Sequence, residues 1–223
     1  MQPDRRSQSS DAAPDHDRAS RSHADLLYVC RGLYTCSVPG VERRAVLGDA
    51  AIEVIAAEGM RGLTHRAVDR AAGLPAGSTS YYARTRLALL ELAADRMVAL
   101  DEAEVEPPEG KLAEFLGAVV HRSITAGRTR MLARYEFALE SVRRPELRPR
   151  YDAGGLELRR RCAEVLAAAG SPTPEEHTRV LIGWLDGSIF DALAGTGSVH
   201  PPTEAELVAG ARAVLAGLGL PDA

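Results

Sequence analysis

Between Thr64 and Arg86 the chain reads THRAVDRAAGLPAGSTSYYARTR, with hydroxyl, guanidinium and phenol groups set among small residues. These types suit recognition of a polyanion rather than bond-making. The planar fork of Arg66 matches the O6 and N7 acceptors of guanine, and hydroxyls reach base edges or phosphate oxygens. Small side chains such as Ala76 and Ser78 let a backbone sink into a groove about 12 Å wide. Bond-making chemistry has no comparable cluster. The histidines stand scattered at 16, 23, 65, 121, 177 and 200, and no HExxH, GxSxG, GxGxxG or phosphate-loop pattern occurs. Cys30, Cys36 and Cys162 lack metal-ligand spacing. Neither a catalytic site, a metal nor a cofactor is expected.

Two short helices must position these groups. Thr64 is placed to cap a helix over HRAVDRAA, whose inner face would be Ala67, Val68, Ala71 and Ala72. Gly73 supplies a residue free to take positive φ at the turn. Pro75 suits the first turn of a second helix running from about Pro75 to Ala83. Two helices joined by a tight glycine turn, the second carrying small and polar groups, make a helix-turn-helix.

The rest of the chain predicts an all-α fold of about nine helices. Ahead of the motif, Leu47, Ala51, Val54 and Ile55 share one helix face that ends at Gly59 and Gly62. After it, Thr85 caps a long helix reaching about Glu106, where Pro107-Pro108 breaks it. Further helices are predicted over 111–126, 128–143, 155–169, 173–194 and 203–217. Pro145, Gly154-Gly155, Gly170-Ser171-Pro172 and Pro201-Pro202 read as punctuation.

Charge supports the location of the motif more than its sum does. The net charge is −4, yet residues 41–90 carry seven arginines against five acids and form the one positive block. Residues 1–24 are polar and charged, too poor in apolar groups to offset ordering entropy, so disorder is expected there. Leu26, Leu27, Tyr28, Val29, Leu33 and Tyr34 then form an apolar patch before Pro39-Gly40. No stretch approaches the roughly 18–20 apolar residues of a membrane span, and no secretory signal is evident, so a cytoplasmic location is expected. The expected organisation is an extension over 1–40, a DNA-binding domain over 41–90 and a helical regulatory domain over 91–223.

The stretch GLTHRAVDRAAGLPAGSTSYYARTRLALLELAADRM, from Gly62 to Met97, resembles the DNA-binding domain of TetR-type regulators. The resemblance rests on the Gly-Leu-Thr start, the Ala-Ala-Gly turn, the glycine opening the second helix, the tyrosine pair, and a basic pair flanking Thr85. Ala83 and Ser80 depart from it: the family usually has Phe or Val at the first position and Tyr at the second. The resemblance implies DNA contacts from Thr64, His65 and Arg66, from Ala76, Ser78, Thr79, Ser80 and Tyr81 in the groove, and from Tyr82 and Arg86 on the backbone.

It also implies a homodimer, a small-molecule effector and a palindromic operator, with repression as the default. Pocket candidates are Met97, Phe115, Val119, Arg122, Met131, Tyr135, Phe137, Leu139 and Trp184. Trp184, the one tryptophan, is expected to report ligand by its fluorescence. Interface candidates are Val180, Gly183, Gly187 and Phe190 on one helix, and Leu207, Ala211, Val214 and Leu215 on the last. Arg5, Arg6, Arg18 and Arg21 would lend at most a modest basic arm, since five aspartates offset them. The alternatives are a helical adaptor or ligand-binding protein that has lost operator binding and, more remotely, an enzyme.

Overall fold

A computed structural model describes residues 40–102 and 111–220. The expected disorder of residues 1–24, the apolar patch before Pro39, the arginine arm and the end of the long helix near Glu106 lie outside the described residues. Nine α-helices occur among the described residues, and no strand. They are α1 (Gly40–Gly62), α2 (His65–Ala71), α3 (Ser78–Tyr82), α4 (Arg86–Glu102), α5 (Leu112–Ile124), α6 (Arg128–Arg143), α7 (Arg148–Ala168), α8 (Pro174–Ala194) and α9 (Glu204–Gly217). The fold is all-α. None of these helices is long and apolar enough to cross a membrane.

The predicted face of α1 forms as expected: Leu47, Ala51, Val54 and Ile55 are all buried. Gly59 breaks the regular helix with φ 68°, a left-handed conformation open to glycine. Helix α4 crosses α1 closely, and Arg96 of α4 pairs with both carboxylate oxygens of Asp49 at 2.7 and 3.1 Å. Thr85 caps α4 by accepting from the Ala88 amide at 3.0 Å. The core around these helices continues through Leu89, Leu90, Ala93 and Met97 to Ala133 and Phe137 of α6 and to Leu147. The division expected at residue 90 therefore falls inside α4 and inside one continuous core.

A second core joins α5, α7, α8 and α9 through Leu116, Leu166, Leu181, Ala211 and Leu215. A third, around Val120, Met131, Ile189 and Leu207, joins α5, α6, α8 and α9. Helix α9 begins with a reciprocal cap: the Glu206 amide donates to Thr203 Oγ1 at 3.3 Å and the Thr203 amide donates to Glu206 Oε2 at 2.8 Å.

Helix α7 departs from expectation. It starts at Arg148, not 155, and runs through Gly154-Gly155. Pro149 sits in its first turn, where a missing amide costs nothing. Gly154 is no breaker there: a Cβ at this position would lie 2.8 Å from Val98 Cγ2, so the glycine lets α7 approach α4.

Gly117 plays the same part between α5 and α9, where an added Cβ would meet Val208 Cγ2 at 2.5 Å and the Val208 backbone nitrogen at 2.8 Å. A helix-interior glycine ordinarily costs about 1 kcal/mol relative to alanine. Gly117→Ala is expected to lose stability instead, by about 1–3 kcal/mol, because backbone cannot yield to overpacking. Denaturant unfolding checks this, and a gain in stability would mean that α9 is not seated as described.

Candidate nucleic-acid interface and ligand cavity

Helix α3 is five residues long, too short to hold itself. It is held by Asp69. This aspartate lies on the buried face of α2 and is 3% exposed. Its Oδ2 accepts from the Gly77 amide at 2.7 Å. Its Oδ1 accepts from the Thr79 amide at 2.7 Å and from the Thr79 hydroxyl at 2.5 Å. Gly77 has φ 95°, a conformation that favours glycine and that ends any helix beginning earlier. That conformation corrects the expected start at Pro75: residues 74–77 form a turn, and the Ser78 amide donates back to the Pro75 carbonyl at 3.1 Å. Burial works against ionisation of Asp69, but the Thr79 and Gly77 hydrogen bonds outweigh it and hold the carboxyl below its ordinary range.

This lock divides the motif into inner and outer faces. Thr79 is wholly buried and spends its hydroxyl on Asp69, so its expected groove contact is corrected. Ala83 is 1% exposed, and its carbonyl meets His65 Nε2 at 2.6 Å. His65 thus links α2 to the end of α3, and its imidazole is committed inside the protein. Tyr82 is half-buried against the N-terminal core, its ring edge-on to that of Tyr81 at 5.0 Å. The Arg86 guanidinium donates to the Leu63 carbonyl at 2.5 Å and to the Met60 carbonyl, tying α4 to the end of α1. Those bonds give Arg86 a positioning role, and its side chain remains exposed. Thr64 accepts from the Ala67 amide at 3.1 Å as a helix cap, yet remains exposed. Ser78 is half-buried and donates to the Pro75 carbonyl at 2.7 Å. Arg66, Ala76 and Ser80 are exposed, and Tyr81 is 77% exposed. These four and Thr64 make the outward surface.

The second feature is a cavity of about 670 Å³ among α4, α6, α7 and α8. Met97, Val98 and Asp101 line it from α4, and Arg134, Tyr135 and Phe137 from α6. Arg148, Tyr151 and Asp152 face it from α7, and Ile182, Asp186, Gly187 and Phe190 from α8. Of the nine pocket candidates, Met97, Tyr135 and Phe137 line it. The others are corrected. Phe115 packs in the α5–α9 core and Met131 in the α5–α6–α8 core. Val119 and Arg122 are on α5, which contributes no lining residue, and Leu139 points outward at 57% exposure. Trp184 faces α9, where a Cβ on Gly210 would lie 3.1 Å from its ring, so it stands away from the cavity.

The cavity walls are aromatic and charged. Phe137 and Tyr151 stack at 6.1 Å, with Arg148 5.8 Å from the Tyr151 ring centre. Tyr135 and Phe190 meet edge to face at 5.3 Å, and the Tyr135 hydroxyl donates to the Asp186 carbonyl at 3.3 Å. Asp101 pairs with Arg130 and Arg134, Arg148 with Asp152, and Arg150 with Asp95. Burial pushes the Asp186 carboxyl up, with the positive charges of Arg134 and Arg159 opposing. Burial and the neighbouring Asp186 charge push the Tyr135 phenol up to about 12, against Arg134. No group of His, Cys, Asp and Glu among the described residues is arranged to hold a metal ion.

Asp69 generates a stability prediction. Its carboxyl titrates lower folded than unfolded, so it stabilises the protein above the ordinary carboxylate pKa, and that share is lost as pH falls through the depressed folded value. Asp69→Ala is expected to cost about 1.5–3 kcal/mol, as for hydrogen bonds to a charged group. Asp69→Asn should flatten the acid limb of the stability profile. Thermal melts between pH 2 and 7 check both, and an unchanged acid limb would contradict the assignment.

Comparison with known proteins agrees with the geometry. The model of the tetracyclin repressor-like C-terminal domain matches residues 107–221. A TetR-family member from Streptomyces coelicolor A3 is 30% identical, with a TM-score of 0.59 over 78% of this chain and 98% of that one. The multidrug-binding protein EbrR in complex with ethidium is 28% identical, with a TM-score of 0.58 over 78% and 98%. A transcriptional regulator from Rhodococcus sp. Rha1 shares the fold at 24% identity and a TM-score of 0.67, over 78% and 96%. Among curated protein sequences there is no significant match. The chain belongs to the TetR family of transcription regulators.

Proposed function

We propose that two copies of this chain bind a palindromic operator through the outward face of α2 and α3, repress by occlusion, and are released by a small molecule held in the cavity. Residues 41–90 serve as the reader and residues 91–223 as the regulatory and dimerising part. The observation that carries this reading is the division made by Asp69: Thr79 and Ala83 turn inward while Arg66, Ser80 and Tyr81 turn outward. A helix docked this way presents small and polar side chains to a major groove, and two-fold half-sites call for two such helices.

The dimer surface is supported by α8 and α9. Val180, Gly183, Gly187 and Phe190 are exposed along α8. On α9 Ala205, Ala209, Ala213 and Ala216 form an exposed stripe beside the exposed Arg212, and these alanines are small enough for close helix approach. Leu207, Ala211 and Leu215 face the other way and are buried in the protomer's own core, which corrects their expected interface role. Val214 is half-buried against that same core.

The aromatic part of the walls supports one effector class. Stacked and edge-on aromatic rings beside the Asp186 carboxylate suit a planar aromatic cation. EbrR, solved with ethidium and with proflavin, supports that class. Release works through α4. This helix carries cavity residues Met97 and Val98 at one end, and at the other Arg86, which grips the carbonyls before α2. A ligand that parts α7 from α4 at the Gly154–Val98 contact shifts the reader, provided it prefers the DNA-incompetent state.

Two outcomes test this reading. Footprinting upstream of the gene should find a protected palindrome, bound with a log K that falls by about 0.9 per contacted phosphate per unit log salt. Arg66→Ala and Tyr81→Ala should each weaken that binding by about 1–3 kcal/mol without lowering Tm. A collapse of Tm in Tyr81→Ala would place the ring in the core instead. For the cavity, proflavin polarisation in the absence of DNA should show affinity falling as acid protonates Asp186, beginning above the ordinary carboxylate range because its pKa is raised. Asp186→Asn should bind about tenfold more weakly and lose that pH dependence; retention of both would exclude Asp186 from the site.

A further inference from the structure

The cavity wall carries charges of both signs, and most of them are spent within the protein. Arg134 meets Asp101, Arg148 meets Asp152, Arg150 meets Asp95 and Arg161 meets Glu157. Two lining groups are left over. Among the described residues, Arg159 of α7 and the Asp186 carboxylate of α8 have no hydrogen-bonding or ion-pair partner at contact distance. They are opposite in sign and close enough to feel each other: the Arg159 charge acts on the Asp186 carboxyl through space and opposes the upward push of burial.

The two groups share one side of the cavity. Its floor is apolar and closed, with Met97, Phe137 and Ile182 all buried. Arg159 and Asp186 both reach solvent, so they stand at the mouth. A flat aromatic ring entering here rests on the floor and leaves its substituents at the mouth, beside one unmatched cation and one unmatched anion.

This arrangement serves a ligand poorly if its only charge is positive. Held by Asp186, such a cation also stands in the repulsive field of Arg159, whose own charge stays without a partner. An anionic group on the same ring turns the repulsion into a charge-assisted pair. Arginine suits that part, because its planar fork can take both oxygens of a carboxylate.

We infer that the effector is amphoteric, a planar aromatic whose cationic end meets Asp186 and whose carboxylate meets Arg159 at the cavity mouth. The inference rests on the effector reading proposed above and narrows it, since that reading asks only for an aromatic cation. Arg159 then determines specificity: it selects among aromatic cations and does not add affinity for all of them.

Three probes of one ring system test it: proflavin, proflavin bearing a carboxylate on its central ring, and the methyl ester of that acid. Acid and ester share the ring and its cationic amines and differ in the anion. Their affinities are measured by fluorescence with the full chain in the absence of DNA. The parent protein should bind the acid about tenfold more tightly than the ester, the scale of a hydrogen bond to a charged group. Arg159→Gln should weaken acid binding about tenfold, while ester and proflavin binding holds level or tightens because a repelling charge has gone. Arg159→Lys keeps the charge and should keep the preference for the acid. A purely structural role for Arg159 would instead weaken all three probes together in Arg159→Gln. That parallel loss, equal binding of acid and ester, or failure to bind the acid while proflavin binds overturns the amphoteric effector. The aromatic-cation reading survives those results if proflavin still binds the parent and binds Asp186→Asn more weakly. A parent protein that binds none of the three overturns both.

Discussion

One buried carboxylate fixes the orientation of the reading helix. Helix α3 has five residues, and at this length its first amides would be left without intrahelical partners. Asp69 supplies those partners from a neighbouring helix, taking two amides and a hydroxyl. Everything outward in the motif follows from that choice of inward groups. With Thr79 drawn to the core, the next residues, Ser80 and Tyr81, must face away from it. The carboxylate also spans the turn, so the angle between α2 and α3 is set by bond lengths as well as by packing. His65 on the Ala83 carbonyl closes the far end of the same short helix.

The coupling of this reader to the rest of the protein runs through α4. Its first residue grips the end of α1, Arg96 fixes it to Asp49, and its C-terminal half forms the cavity wall. One core passes from Val68 of α2 to Phe137 of α6 without a gap, and close packing of that kind transmits displacement rather than absorbing it. The cavity meets this core at Met97 and Phe137, so a ligand there touches residues that also pack beneath the reader. A glycine at 154 and the ion pair of Arg150 with Asp95 hold α7 against α4, and these are the contacts that the proposed release would loosen.

Much of this was legible in the residues, and the exceptions have physical causes. The apolar spacing of α1 and the boundaries of α5, α6, α8 and α9 could be read because periodicity and local breakers agree there. The motif was visible from its turn glycine and its hydroxyl-rich second helix. Asp69 was missed because a charge within a helix reads as solvent-facing, although its position beside Ala67 and Val68 on the inner face was a signal that it needed partners. Thr79 was misread with Ser78 and Ser80 because hydroxyl type says nothing about which side of a short helix a residue takes. The start of α7 was missed because Gly154-Gly155 has the composition of a loop, while its use is the close approach of two helices, a property of residues 98 and 154 together. Trp184 and Phe115 failed as cavity residues for a related reason: an apolar stripe names a buried side but not whether a neighbour or a void lies against it.

Amide hydrogen exchange at Thr79 tests the account's central claim most directly. The second residue of an exposed five-residue helix has no intrahelical acceptor and would ordinarily exchange through local fraying. If Asp69 locks α3, the Thr79 amide should exchange as slowly as amides in the middle of α1, by opening of the whole motif, while the neighbouring Ser80 and Tyr81 side chains remain open to solvent. Exchange of Thr79 at the rate of an unprotected amide would contradict the lock and, with it, the division of the motif into an inner and a reading face.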